Sequence, residues 1–166
     1  MLKEICVVAV LALTASAENL FDNSTMDTTG GWKGSKKFAK EETAKPQDQV
    51  AKKTDTKENR IIIVSAKKRE VVSFSQEVSS KGLTDVVVTF RYRTKDYSGR
   101  GLEVRGTRQD RSSTYSSYQI VADGQWHEVR WKFDQIRNSN KMDFSFILLE
   151  GEGDLHFDDI TVEKAE

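Results

Sequence analysis

Apolar and polar residues alternate with a period of two through most of the chain after Arg60, the mark of strands with one buried face. Arg60 to Ala66 is rich in Ile and Val. Lys67-Lys68-Arg69 then reads as a charged turn. Glu70 to Val78 places Val72, Phe74, Gln76 and Val78 on one face. Asp85 to Thr94 sets Val86, Val88, Phe90 and Tyr92 against Val87, Thr89, Arg91 and Arg93. Gly101 to Arg108 sets Leu102 and Val104 against Glu103 and Arg105. Tyr115 to Ala122 and Trp126 to Phe133 follow, and Asp123-Gly124 between them is a hairpin signal. Met142, Phe144, Phe146 and Leu148 alternate through the next strand. Gly151 and Gly153 then predict a tight reversal into a closing strand that carries Asp158 and Asp159 between Phe157 and Ile160. With a short opening strand over Glu18 to Asp22, the pattern predicts about nine strands and an all-β sandwich of two antiparallel sheets.

The pattern fails in two places. From Lys33 to Arg60 apolar residues are sparse and Lys, Glu, Thr, Asp and Gln dominate. This stretch reads as a long polar excursion, partly disordered, with a marginal helix around Phe38 to Ala44. The N-terminus reads as a targeting segment: a thin basic start at Lys3, an apolar run from Ile5 to Leu13, and Ala15-Ser16-Ala17 as a cleavage signal. Residues 1–17 are therefore expected to be a cleaved signal peptide and residues 18–166 the sandwich. Cys6 lies inside the signal, so the mature chain has no thiol chemistry. An extracytoplasmic destination, secreted or periplasmic, follows.

Charge narrows the partners. The chain carries 26 Lys and Arg against 26 Asp and Glu. No whole-molecule field draws it to nucleic acid, and no basic helix is in view. Catalysis finds little footing, because the two histidines, His127 and His156, both fall in strands. No Ser-His-Asp or Cys-His set assembles, and no zinc spacing occurs. Glu150 and Glu152 flank a turn glycine and read as solvated turn acids.

Four fragments in order resemble the jelly-roll carbohydrate-binding modules grouped in families four, nine and twenty-two, and the wider galactose-binding-like fold. They are Asn19-Leu20-Phe21-Asp22 followed by Gly31-Trp32, the strand Val86 to Arg93, Gly124-Gln125-Trp126 leading to Val129, and Phe157-Asp158-Asp159-Ile160. The resemblance implies a jelly roll that binds a polysaccharide or cell-surface glycan without catalysis. It also implies a structural calcium ion at the chain ends, held by Asp22 with Asp158 or Asp159, since calcium takes six to eight hard oxygens. The other reading of the acid pair is that one faces solvent and the other accepts backbone N–H bonds or pairs with Arg or Lys.

Alternation turns Arg91, Arg93 and Arg105 outward, and Tyr97 and Tyr115 lie in nearby loops. Arginine forks onto carboxylate or sulfate, and an aromatic ring gives a sugar a platform. The expected ligand residues are Trp32, Arg91, Arg93, Tyr97, Arg105 and Tyr115, and the expected ligand is an acidic or sulfated glycan. Against this stands a solvated face laced with cross-strand ion pairs, such as Glu103 with Arg93. A structural or protein-interaction sandwich at the cell envelope is the alternative function. Trp126 reads as a packing anchor, whereas Trp32 is either a lid on the sandwich end or an exposed platform.

Overall fold

The structure, a computed structural model, describes residues 19–21, 31–40, 60–134 and 139–165. The expected signal peptide, Asp22 and most of the polar excursion lie outside them. Seven strands occur among the described residues: β1 (Lys33–Gly34), β2 (Lys37–Lys40), β3 (Arg60–Ser79), β4 (Val86–Arg108), β5 (Ser113–Tyr118), β6 (His127–Phe133) and β7 (Lys141–Lys164). All pairings are antiparallel. No described helix is long and apolar enough to cross a membrane.

Three strands dominate, at 20, 23 and 24 residues for β3, β4 and β7. Each is interrupted at the same level. The β3–β7 register shifts between Ala66 and Glu70, and the β4–β7 register shifts between Lys95 and Ser98, opposite Gly151 to Asp154. These irregularities line up as one crease across the sheet. On one side of it run β2, the first part of β3, the second part of β7, the first part of β4, and β6. On the other run β1, the second part of β3, the first part of β7, the second part of β4, and β5.

The two halves face each other. Phe74, beyond the crease in β3, meets Phe157, on the other side in β7, edge to face at 5.0 Å. Phe90 meets Phe146 in the same way at 5.4 Å, and Tyr92 meets Tyr118 at 5.8 Å. The hydrogen-bonded sheet is thus folded on itself into a β-sandwich, and the alternating residues of both halves fill the space between. Phe74, Phe90, Phe146 and Phe157 are at most 1% exposed. Burying each such ring contributes about 1.5–3 kcal/mol.

The crease explains the glycines. A Cβ on Gly151 would lie 2.8 Å from a ring carbon of Tyr97, and one on Gly99 would lie 2.4 Å from its hydroxyl. Gly153 has φ +103° and comes so close to the Asp96 carbonyl that a Cβ would sit 2.2 Å away. Only a glycine suits that combination of dihedral and approach. The expected reversal at Gly151 and Gly153 is therefore a bend within one continuous strand. Lys67 to Arg69, expected to turn, likewise belongs to continuous β3.

Three further expectations are corrected. Lys33 to Lys40, taken as the start of the excursion, forms β1 and β2 against β3, because backbone pairing asks nothing of side-chain polarity. Asp123-Gly124 is not a hairpin. Strand β5 pairs with β4 beyond the crease and β6 pairs with it before the crease, so the link crosses between layers. Asn19 to Phe21, the described part of the expected opening strand, is no strand, yet it is tied down. Leu20 N–H donates to the Val162 carbonyl at 2.7 Å, and the Asn19 amide oxygen accepts from Val162 N–H at 3.0 Å and from Phe21 N–H at 3.1 Å.

Candidate functional site

The layer containing β5 presents a polar grid on its outer face. Alternation sends Phe74, Phe146 and Val104 inward, so Ser75, Ser145, Arg105 and Tyr115 point out, and the registers place them in one row across four strands. The row on one side holds Glu77, Asp143, Thr107 and Ser113, and the row on the other holds Ser73, Ile147, Glu103 and Ser117. Tyr115 is 65% exposed, an unusual display for a ring on a sheet.

Hydrogen bonds hold the polar groups in place. Arg105 Nε donates to Glu103 Oε1 at 2.8 Å. Asp143 accepts from the Ser75 hydroxyl at 3.2 Å through one oxygen and from the Ser145 hydroxyl at 2.9 Å through the other. Lys141 Nζ donates to Glu77 Oε1 at 2.7 Å, and that bond, with the charge behind it, holds the Glu77 carboxyl below its ordinary range. Glu77, Glu103 and Asp143 stand against Lys33, Arg105 and Lys141, so the face carries both signs evenly. An exposed ring bordered by fixed planar donors and acceptors can stack a sugar ring and hydrogen-bond its hydroxyls.

The outer face of the other layer is built differently. Arg91 Nη1 lies 3.1 Å from Asp159 and 4.0 Å from Asp158. Arg93 Nε donates to His156 Nδ1 at 3.1 Å. Both guanidinium groups lie over the indole of Trp126, at 4.9 and 5.0 Å from its centroid. Trp126 is thus a half-buried cation–π anchor, with its ring taken by arginine.

The six expected ligand residues therefore divide. Arg105 and Tyr115 are direct cross-strand partners on the polar grid. Arg91 and Arg93 share the opposite face. Trp32 and Tyr97 are 5% and 7% exposed and lie in the core. Trp32 packs against Phe21 at 4.9 Å and Phe74 at 5.4 Å, closing the sandwich rather than offering a platform. The Tyr97 ring fills the crease over Gly99 and Gly151. Glu103 pairs with Arg105 rather than with Arg93, since Arg93 lies on the other layer. Asp143, Ser75 and Ser145 were not expected as site residues. Their signal was present as the polar phase of two alternating strands, but alternation does not say which strands become neighbours.

The acid pair has a local cause. One extra residue of β7 stands opposite β4 between Thr89 and Arg91, a β-bulge at Asp159. Asp159 takes φ 49°, which Asp tolerates better than most residues. Asp158 is 1% exposed and accepts from Asp159 N–H at 2.9 Å. Arg91 supplies the cation beside both carboxylates. Among the described residues no three His, Cys, Asp or Glu gather around a common point, and Asp22 lies outside those residues. Of the three acids expected to hold calcium, only Asp158 and Asp159 are among the described residues, and Arg91 stands beside both.

No family model matches the sequence, and no curated protein matches it. Solved structures do match in fold. A CBM61 module, TmCBM61 in complex with β-1,4-galactotriose, superposes with TM-score 0.61 at 14% identity, covering 90% of this chain and 100% of that one. A CBM4 module gives 0.59 at 12% identity, covering 87% and 99%. The enzymatically active domain of tailspike protein 4 from bacteriophage CBA120 gives 0.62 at 10% identity, but 89% of this chain spans only 21% of that one. The chain has the β-sandwich fold of carbohydrate-binding modules, and its architecture accounts for nearly the whole length of the first two.

Proposed function

We propose that the protein is a non-catalytic carbohydrate-binding module whose polysaccharide lies across the grid of Tyr115, Arg105, Glu103 and Asp143. The observation that carries this reading is Tyr115: a ring 65% exposed on a sheet face, directly opposite an arginine whose fork is held by Glu103. Burying such a ring against the apolar face of a sugar recovers area now spent in water. The balanced charges of the grid suit neutral hydroxyls. An acidic or sulfated glycan would find its cations on the other face, at Arg91 and Arg93.

Affinity electrophoresis of the full chain through gels containing galactan, xylan, pectate or a sulfated galactan tests the reading. Retention is expected on at least one. Tyr115→Ala should weaken it about tenfold or more, as expected when a central aromatic anchor is truncated. Free migration through every gel would overturn the proposal. Retention unchanged in Tyr115→Ala would move the site off this face.

A further inference from the structure

A hollow of about 200 Å³ lies on the opposite outer face, across four neighbouring strands. Ala39 of β2 and Ile61 and Ile63 of β3 make its apolar side. His156 and Asp154 of β7, with Arg93 and Lys95 of β4, make its polar side. The registers set Ile63, His156 and Arg93 in one row, and Asp154 and Lys95 in the next.

The state of His156 follows from its neighbour. A guanidinium only donates, so the Arg93 bond makes His156 Nδ1 an acceptor, the ring neutral, and Nε2 the nitrogen bearing the proton. Burial first, then the Arg93 charge, also depresses protonation of this ring. His156 is 8% exposed, and Nε2 has no hydrogen-bond partner. A buried N–H without an acceptor is costly, and native structures leave few of them. The ring stands in the wall of a hollow whose described lining holds two cations and one acid. That excess of one positive charge matches a singly charged oxyanion. Two oxygens in a plane serve two donors, and the isoleucines accept the body behind them. The volume is below the roughly 300–1,000 Å³ of sites for drug-sized molecules, so the occupant is small or is one unit of a larger chain.

We propose that this hollow is a second binding site, which takes a carboxylate carried on a compact molecule, with Arg93, Lys95 and the His156 Nε2–H as its donors. The site shares no residue with the Tyr115 grid and does not depend on it. Its carboxylate comes either from a sugar acid or from a free small acid.

Calorimetric titration of the full chain with sodium glucuronate, sodium lactate and glucose decides the matter. Binding of either acid, with none of glucose, is expected. Stronger binding of glucuronate assigns the source to a sugar acid, and equal binding assigns it to a free acid. Lys95→Glu, at an exposed position, and Ile63→Trp, which fills the hollow, should each weaken the acid about tenfold or more. Tyr115→Ala should leave it unchanged. Absence of heat from both acids would mean the hollow holds only water and would overturn the proposal. Equal binding of glucose, or loss of acid binding in Tyr115→Ala, would overturn it as well. None of these failures bears on gel retention by the Tyr115 grid, so the two readings fall separately. If Ile63→Trp does not fold, Lys95→Glu carries the test alone.

Discussion

Asp159 sits in the left-handed region and Asp158 beneath it is closed to solvent. Each position asks for its own chemistry. A β-branched side chain at φ 49° strains the backbone, so Asp159→Val should cost about 1–3 kcal/mol. Asp159→Gly keeps the dihedral accessible and should cost less, and urea denaturation of both variants compares them. Asp158→Ala leaves the bulge N–H without its buried acceptor, while Arg91 keeps Asp159, and should cost about 1–3 kcal/mol. His156 acts through pH. Its protonation is depressed below the ordinary value of 6.5 in the folded chain, by burial and by Arg93, with Lys95 adding and Asp154 opposing. On acidification the unfolded chain therefore takes up the proton first. This group's contribution is fully present above 6.5 and is lost as pH falls from there toward the folded value. Urea midpoints measured from about pH 7.5 down to about 5.5 should decline, and His156→Gln should flatten that decline.

At the scale of the element, the crease is what alternation could not reveal. The strands from Glu70 to Val78, Asp85 to Thr94 and Gly101 to Arg108 were legible because each buries one face with a strict period of two. Their joining into longer strands was not. A glycine in a strand pattern signals either a turn or a close approach, and the two look alike until the neighbouring ring is known. Tyr97 is that ring, and it lies more than fifty residues away in the sequence from Gly151, far beyond the window of local pattern reading. Gly153→Ala should be among the most damaging small substitutions, because it strains a φ of +103° and drives a methyl into the Asp96 carbonyl. Gly82→Ala serves as a comparison, with a positive φ of +77° but open space around it. Thermal melting should place Gly153→Ala well below Gly82→Ala. For the site, Arg105 and Tyr115 were legible as an exposed base and ring. Their pairing, and the enlistment of Asp143 beside them, waited on the order of strands.

At the scale of the whole molecule, the two faces divide the labour of charge. One spreads both signs evenly around an exposed tyrosine. The other concentrates arginines on carboxylates, a histidine and an indole. Arg91 there stands beside Asp158 and Asp159, the acids expected to hold a calcium ion. The melting transition should accordingly be the same in calcium and in chelator, and scanning calorimetry checks this. A rise in Tm with calcium, reversed by chelator, would return the ion to the acid pair and Asp22. The fold also predicts its own kinetics. The dominant pairing, β4 with β7, joins segments far apart in sequence. Refolding should fall in the slow range of non-local β topologies, milliseconds to seconds, measurable by stopped-flow fluorescence of the tryptophans.

The bonds from Asn19 and Leu20 to Val162 bring the two ends of the described chain together. Tension applied between those ends would load these bonds first, while the creased strands stand aside from the line of force. A bead pulled through both ends should therefore show an early, low-force release of the opening segment before the sandwich yields. Below that release, a sandwich held from both ends would hang as a side branch and keep its two faces open.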